Sequence, residues 1–103
     1  MSGTSDARIV VTGMGAVTPL GLNVPDFWDG LVNGRSGIGR VTLFDAEKFE
    51  VQIAGEASGF DARDFMDKKA ARRLDRFSQF AVTAACEAVR DAEYEVTAAN
   101  AER

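Results

Sequence analysis

Two features near opposite ends of this chain have residue types that could do chemistry, and each can be held against what that chemistry requires. The first is Gly13-Met14-Gly15, which follows the apolar run Ile9-Val10-Val11 and invites comparison with a dinucleotide-binding turn. The third glycine of that fingerprint is replaced by Thr18, and Pro19 and Gly21 stand where a helix has to begin at once. Without a helix N-terminus there is no dipole or amide cluster to hold a pyrophosphate. The glycines read instead as places where backbones crowd together at the carboxyl end of a strand. The second is Cys86, in Thr83-Ala84-Ala85-Cys86-Glu87. A reactive thiolate wants a helix N-terminus or a cationic neighbour, whereas Cys86 falls deep inside a predicted helix, beside Glu87 and at the border of its apolar face. It reads as a small packing residue and not a catalytic one. Histidine is absent from the chain, which removes the commonest general base near neutral pH and the commonest metal ligand.

A third feature concerns recognition. The segment from Asp67 to Arg76 holds five bases (Lys68, Lys69, Arg72, Arg73, Arg76) and two acids, a local excess of three positive charges. The whole chain carries −4, so the remaining residues carry −7. If a helix begins near Asp67, the five bases project from the side opposite Leu74 and Phe77. A solvated face is one reading. A docking surface for an acidic partner is the other, with charge complementarity raising the on-rate and fixing register. The island is too small and isolated to indicate nucleic acid.

These residues need elements to carry them. Ile9, Val10 and Val11 are apolar on both faces, a pattern suited to a central strand of a covered sheet. Pro25 and Asp26 open a short helix with Phe27, Trp28, Leu31 and Val32 on one face, stopped by Gly34. Residues 35–49 read as a loop containing Ser36-Gly37-Ile38-Gly39 and Phe44-Asp45. Val51, Ile53 and Gly55 alternate with polar or small residues as a second, less buried strand. Asp61 to Asp67 forms a short helical turn. From about Ala70 to Tyr94 runs one long helix. Its predicted buried side is Leu74, Phe77, Ala81, Ala84, Ala85, Ala88, Val89 and Ala92, small enough for close approach of a helix or sheet; Arg72, Arg76, Gln79, Thr83, Glu87 and Arg90 form the wet side.

The composition is that of a soluble globular protein, 46% apolar and 27% charged over 103 residues. No apolar run is long enough to span a membrane, and Met1 to Asp6 lacks the features of a signal peptide. One cysteine excludes an internal disulfide framework and fits a reducing cytoplasm. No repeat or linker marks a domain boundary, so residues 1–103 read as one unit. A strand apolar on both faces needs neighbours, and the chain offers only one more; the sequence announces a larger α/β architecture than it completes.

In order along the chain, Ile9 to Gly21, then Phe27-Trp28 and Leu31, Gly34-Arg35-Ser36-Gly37-Ile38, Phe44-Asp45 and Ala54-Gly55 resemble the start of a β-ketoacyl-[acyl-carrier-protein] synthase. Arg72-Arg73-Leu74-Asp75-Arg76-Phe77 resembles that family's arginine-rich segment, where methionine is commoner than Leu74. The resemblance covers nearly the whole chain and is closest to the elongating type II synthase of fatty acid synthesis, with ketosynthases of polyketide pathways opening similarly.

The resemblance implies the N-terminal part of a thiolase-like fold, layered helix–sheet–helix. It implies an acyltransferase that joins an enzyme-bound acyl thioester to malonyl carrier protein by decarboxylative Claisen condensation, using a cysteine, two histidines, a backbone oxyanion hole and a lysine, and no cofactor or metal. Those groups lie beyond this chain: Cys86 does not match the catalytic position. The expectation is therefore a portion lacking the catalytic segment, inactive alone. Acyl carrier protein is the implied partner, docking on Lys69, Arg72 and Arg73 with Lys68 and Arg76 flanking, in a homodimeric cytoplasmic enzyme with no nucleic-acid or membrane partner. A free-standing carrier-binding module is the alternative outside catalysis.

Overall fold

A computed structural model describes residues 6–101. The reading of Met1 to Ser5 as free of a signal peptide lies outside those residues. The elements in chain order are helix α1 (Val24–Val32), strands β1 (Ile38–Arg40) and β2 (Ile53–Gly55), a 3-10 turn (Ala62–Asp64), and helices α2 (Lys68–Arg73) and α3 (Arg76–Asp91).

α1 begins where its local chemistry dictates. Asn23 is its N-cap, accepting the Asp26 N–H at 2.9 Å, with a proline in the first turn. Gly34, at φ +68°, closes the far end as its N–H donates to the Leu31 carbonyl. The expected apolar face is not covered: Trp28, Leu31 and Val32 are exposed, and only Gly30 is buried, beneath Leu20.

The strand expected at Ile9–Val11 does not form. Residues 7–17 are neither helix nor strand, and Ile9 is 99% exposed, because no second backbone lies alongside to complete a ladder among the described residues. The only sheet there is the antiparallel pair β1–β2, with Ile38 opposite Gly55 and Arg40 opposite Ile53. β2 lies within the expected second strand. β1 falls in the stretch expected as loop, since Ile38 between two glycines offers no alternation to read. The Glu56 carboxylate closes the hairpin on Thr42, accepting its hydroxyl at 2.7 Å and its N–H at 3.1 Å, and the Leu43 N–H at 3.0 Å. These bonds hold the Glu56 pKa below the ordinary carboxylate value, the Thr42 hydroxyl contributing most. Pro19, in the tight turn Thr18–Gly21, wedges against this hairpin: a Cβ on Gly37 would sit 2.6 Å from the Pro19 Cβ.

The expected long helix is two helices. Leu74 leaves helical geometry at φ −110° and ψ 139°, so α2 ends and α3 starts afresh at Arg76. α3 is also rolled by about a third of a turn from the face its apolar residues predict, at 100° per residue. Phe80 and Thr83 turn inward, with Gln79, Glu87 and Ala88 half-buried, while Phe77, Ala81, Ala85 and Val89 are exposed. The cause is the Gly13–Ala16 segment, which lies directly on α3. Any Cβ on Gly13 or Gly15 would overlap the backbone of Ala88 or Ala84. At that distance the segment's amides need acceptors, and α3 supplies carboxylates. Met14 N–H donates to Asp91 Oδ2 at 3.1 Å, and Ala16 N–H to Glu87 Oε1 at 2.9 Å. Glu87 Oε2 accepts the Val24 N–H at 2.9 Å, tying the start of α1 to the same side chain.

The buried cluster is small: Phe60, Ala62 and Ala71, with Val17, Leu22, Met66 and Phe80 packed against it. Phe80 meets Phe60 edge-on at 4.9 Å between centroids. A folded chain of 11.1 kDa ordinarily exposes about 5,700 Å² and has a radius of gyration of about 13 Å; this one exposes 8339 Å² with a radius of 18.2 Å. The large apolar side chains left exposed, Ile9, Trp28, Phe44, Val51 and Phe77 among them, are surface that other protein normally covers. The 103-residue chain on its own should therefore melt without a cooperative transition in calorimetry and self-associate in sedimentation. A monodisperse monomer with one sharp transition would contradict this.

Candidate functional site

The glycine turn is not an anion cradle. The Met14 and Ala16 amides, which a phosphate would need, already donate to Asp91 and Glu87, and two carboxylates there repel any phosphate. Helix α1 begins only at Val24, with its first amide on Glu87. The expectation that Gly13 and Gly15 permit backbone crowding holds for the crowding, against α3, but not for its place at the end of a strand, since residues 7–17 form none.

Cys86 lies in the middle of α3 and is exposed. Its expected role as a packing residue is corrected by the roll of the helix, which turns this edge toward a shallow cleft of about 160 Å³ shared with Leu22, Phe65, Thr83 and Arg90. Thr83, expected on the wet side, is buried there at 5% exposure.

The basic island splits. Lys68 and Arg72 are four apart on α2, as are Lys69 and Arg73, and the two pairs point about 100° apart. Lys68 and Arg72 line an open groove of about 610 Å³ floored by Phe60, Ala62 and Ala71, with Arg63, Asp61 and Arg76 on its walls. Lys69 and Arg73 are exposed on the adjoining face. None of these four bases forms an ion pair among the described residues, whose salt bridges are Arg35–Asp29 and Arg63–Asp61.

Arg76 does not belong with them. Its guanidinium donates to the Ala57 carbonyl at 3.1 Å and lies over the Phe80 and Phe60 rings, 5.0 and 5.7 Å from their centroids. The expectation that all five bases leave one face is corrected: the helix breaks before Arg76, whose exposed side chain is held over the Phe60 and Phe80 rings. Arg63, absent from the expected set, is likewise committed, its fork meeting Asp61 at 2.7 Å while Asp61 accepts the Arg63 N–H at 3.0 Å. No run of bases marks Arg63, and the Asp61-Ala62-Arg63 spacing was the only sequence signal available.

The Arg63 side chain, then its backbone amide, hold the Asp61 pKa down at about 2. A depressed folded pKa means that the Asp61 contribution is complete above the unfolded value of about 4 and is lost as pH falls through about 2. A carboxyl chemical-shift titration of the folded protein should place the Asp61 midpoint near 2, and Arg63→Ala should return it toward the ordinary range. An ordinary midpoint in the unmutated protein would remove this pair from the groove wall.

Among the described residues no helix is long and apolar enough to cross a membrane. The model of the family described as "Beta-ketoacyl synthase, N-terminal domain" matches residues 6–103. A 3-oxoacyl-[acyl-carrier-protein] synthase 2 of Synechocystis sp. is 45% identical over 102 residues, covering 99% of this chain and 24% of that protein. The protein of the same name from Staphylococcus aureus (strain COL) is 43% identical over 100 residues, covering 97% of this chain and 24% of its own length. Among solved structures, the ishigamide ketosynthase/chain length factor superposes with a TM-score of 0.76 at 35% identity, over 84% of this chain and 21% of that one. The chain thus spans about a quarter of the curated relatives it matches.

Proposed function

We propose, for a chain that belongs to the β-ketoacyl synthase N-terminal domain family, that it forms the opening portion of a condensing enzyme elongating acyl chains in fatty acid biosynthesis. Its fold class is α/β, the N-terminal part of a thiolase-like fold. In this reading the complete enzyme carries an acyl group on a cysteine supplied by a later segment. Malonyl carrier protein loses carbon dioxide, its α-carbon attacks the acyl carbonyl, and the thiol leaves with the 3-oxoacyl chain now on the carrier. The identity of the curated relatives along nearly the whole chain supports the fatty acid assignment. A type II polyketide ketosynthase is the second reading, favoured by the solved ketosynthase that superposes on this fold. The complete enzyme is read as a cytoplasmic homodimer.

The residues of this chain would serve recognition. Lys69, Arg72 and Arg73 are proposed to meet acidic side chains of acyl carrier protein, with Lys68 beside Arg72 in the groove. The observation that carries this is their freedom: these bases lack ion-pair partners among the described residues, while Arg63 and Arg76 are engaged. Arginine forks can engage carboxylates bidentately, and lysine contributes a point charge. As water-exposed contacts each is worth about 1 kcal/mol or less and acts mainly on encounter.

Two outcomes test the proposal. Reversing Arg72 and Arg73 to glutamate in the complete synthase should raise KM for carrier-bound substrate about tenfold or more and flatten its salt dependence, with the loss confined to carrier-bound substrates. Equal loss with small acyl thioesters would assign both arginines to the fold. Separately, incubating the chain with acyl-loaded carrier protein should leave Cys86 unmodified by mass spectrometry, since no histidine or other paired base stands ready to take its proton. An acyl adduct on Cys86 would overturn its exclusion from catalysis.

A further inference from the structure

We propose that Gln79 is a positioning residue for carrier docking, its side-chain amide holding α2 at a fixed angle to α3; this rests on the docking role assigned above to Lys69, Arg72 and Arg73. α2 has only six residues, and a helix of that length has no stability of its own in water. Its first turn is held by Asp67, whose carboxylate accepts the Lys69 N–H at 3.2 Å. Its end is the weak point. Leu74 turns out of the helix, and its N–H reaches the Ala71 carbonyl at only 3.3 Å. Asp75, at the N-cap of α3, makes no side-chain capping bond.

Gln79 fills that gap. Its Nε2 donates to the Ala71 carbonyl at 2.9 Å and to the Leu74 carbonyl at 3.3 Å, both partly buried. Those are the carbonyls that a helix end leaves without an intrahelical donor. Gln79 is the fourth residue of α3, and its own N–H donates to the Asp75 carbonyl at 2.9 Å. One residue therefore belongs to the backbone of α3 and clamps the end of α2. Ala71, the residue it clamps, is buried in a cluster with Phe60, over whose ring Arg76 also lies.

The clamp matters to docking because the two base pairs lie on different sides of α2. Their spacing is a fixed pattern only while α2 keeps its angle; a loosened α2 presents the same charges in many arrangements, and the partner pays to order them. Gln79 carries no charge, so its loss should weaken docking without changing how many charges act. That combination separates positioning from charge loss.

The test uses the complete synthase, with acyl and malonyl carrier protein as one substrate set and small acyl thioesters as the other. Gln79→Met keeps the side-chain length and removes both donors. It should raise KM for carrier-bound substrate about three- to tenfold, the fold-change expected for one or two lost hydrogen bonds. kcat and the salt dependence of kcat/KM should stay as in the parent, and the α2 amides should exchange hydrogen faster. Gln79→Leu, which also removes both donors and adds no charge, should do the same. An unchanged KM, a flattened salt dependence, equal loss with small thioesters, or failure of both variants to fold would each overturn the role. The Arg72→Glu, Arg73→Glu enzyme is measured alongside. If its KM is unchanged, the docking reading falls and this inference with it; if it responds while both Gln79 variants do not, docking stands and positioning falls.

Discussion

The structure depends on one close contact, the backbone of Gly13 to Ala16 lying directly on α3. Two glycines make the approach possible, because a Cβ at either would overlap the helix. The approach then creates its own demand, since the part-buried amides of Ala16 and Val24 would cost about 1–3 kcal/mol each without acceptors. Glu87 meets it, its second oxygen reaching the first amide of α1, and Asp91 accepts the Met14 N–H. One carboxylate thus joins the glycine turn, α1 and α3. In the turn that follows, Thr18–Gly21, Pro19 projects onto the β1–β2 hairpin.

That contact also explains what could be read in advance and what could not. α1 and the 3-10 turn were legible because their signals are local: a proline in the first turn and a glycine after the last for α1, an aspartate cap for the turn. The face of α3 was not. Periodicity sorts residues by hydrophobicity and puts Glu87 and Gln79 in water; it does not register that a glycine-rich turn carries bare amides that attract carboxylates and small side chains. The break at Leu74–Asp75 was hidden for a related reason: neither residue is a strong helix breaker, and Ala71 before the break and Phe80 after it both pack against Phe60, distant in sequence. The strand expected at Ile9–Val11 is a different case, for its residues suit a covered sheet and the partners that would pair with it are not among the described residues.

The candidate docking surface was legible as composition and not as geometry. Five bases within ten residues were plain, but which of them are free depends on neighbours distant in sequence. Arg76 is taken by the Ala57 carbonyl and two rings, while Lys68 and Arg72, one turn apart on α2, stand over a floor that includes Phe60 and Ala62. Charge counting therefore overstates the recognition surface at Arg76 and misses the groove that divides it. A partner meeting α2 would encounter two separate pairs of cations, one flanked by an apolar floor.

The placement of the buried cluster has a consequence for function. Phe60, Ala62, Ala71 and Phe80 lie within 21 consecutive residues and beneath the basic helix, while much of the exposed apolar surface lies elsewhere, on Ile9 to Val11, on Trp28, around the hairpin at Phe44, Phe49, Val51 and Ile53, and on the outer face of α3. Local contacts of that kind form with little loop-closure cost. The angle of α2 is therefore set by its own neighbourhood, through Ala71 on Phe60, Gln79 on the helix end and Arg76 over the rings. The uncovered strand segment needs protein from outside this cluster before it can join a sheet. The covering of Ile9 to Val11 and the angle of α2 thus draw on different parts of the chain, and a change that disturbs the first leaves the spacing of Lys68, Lys69, Arg72 and Arg73 to the cluster beneath them.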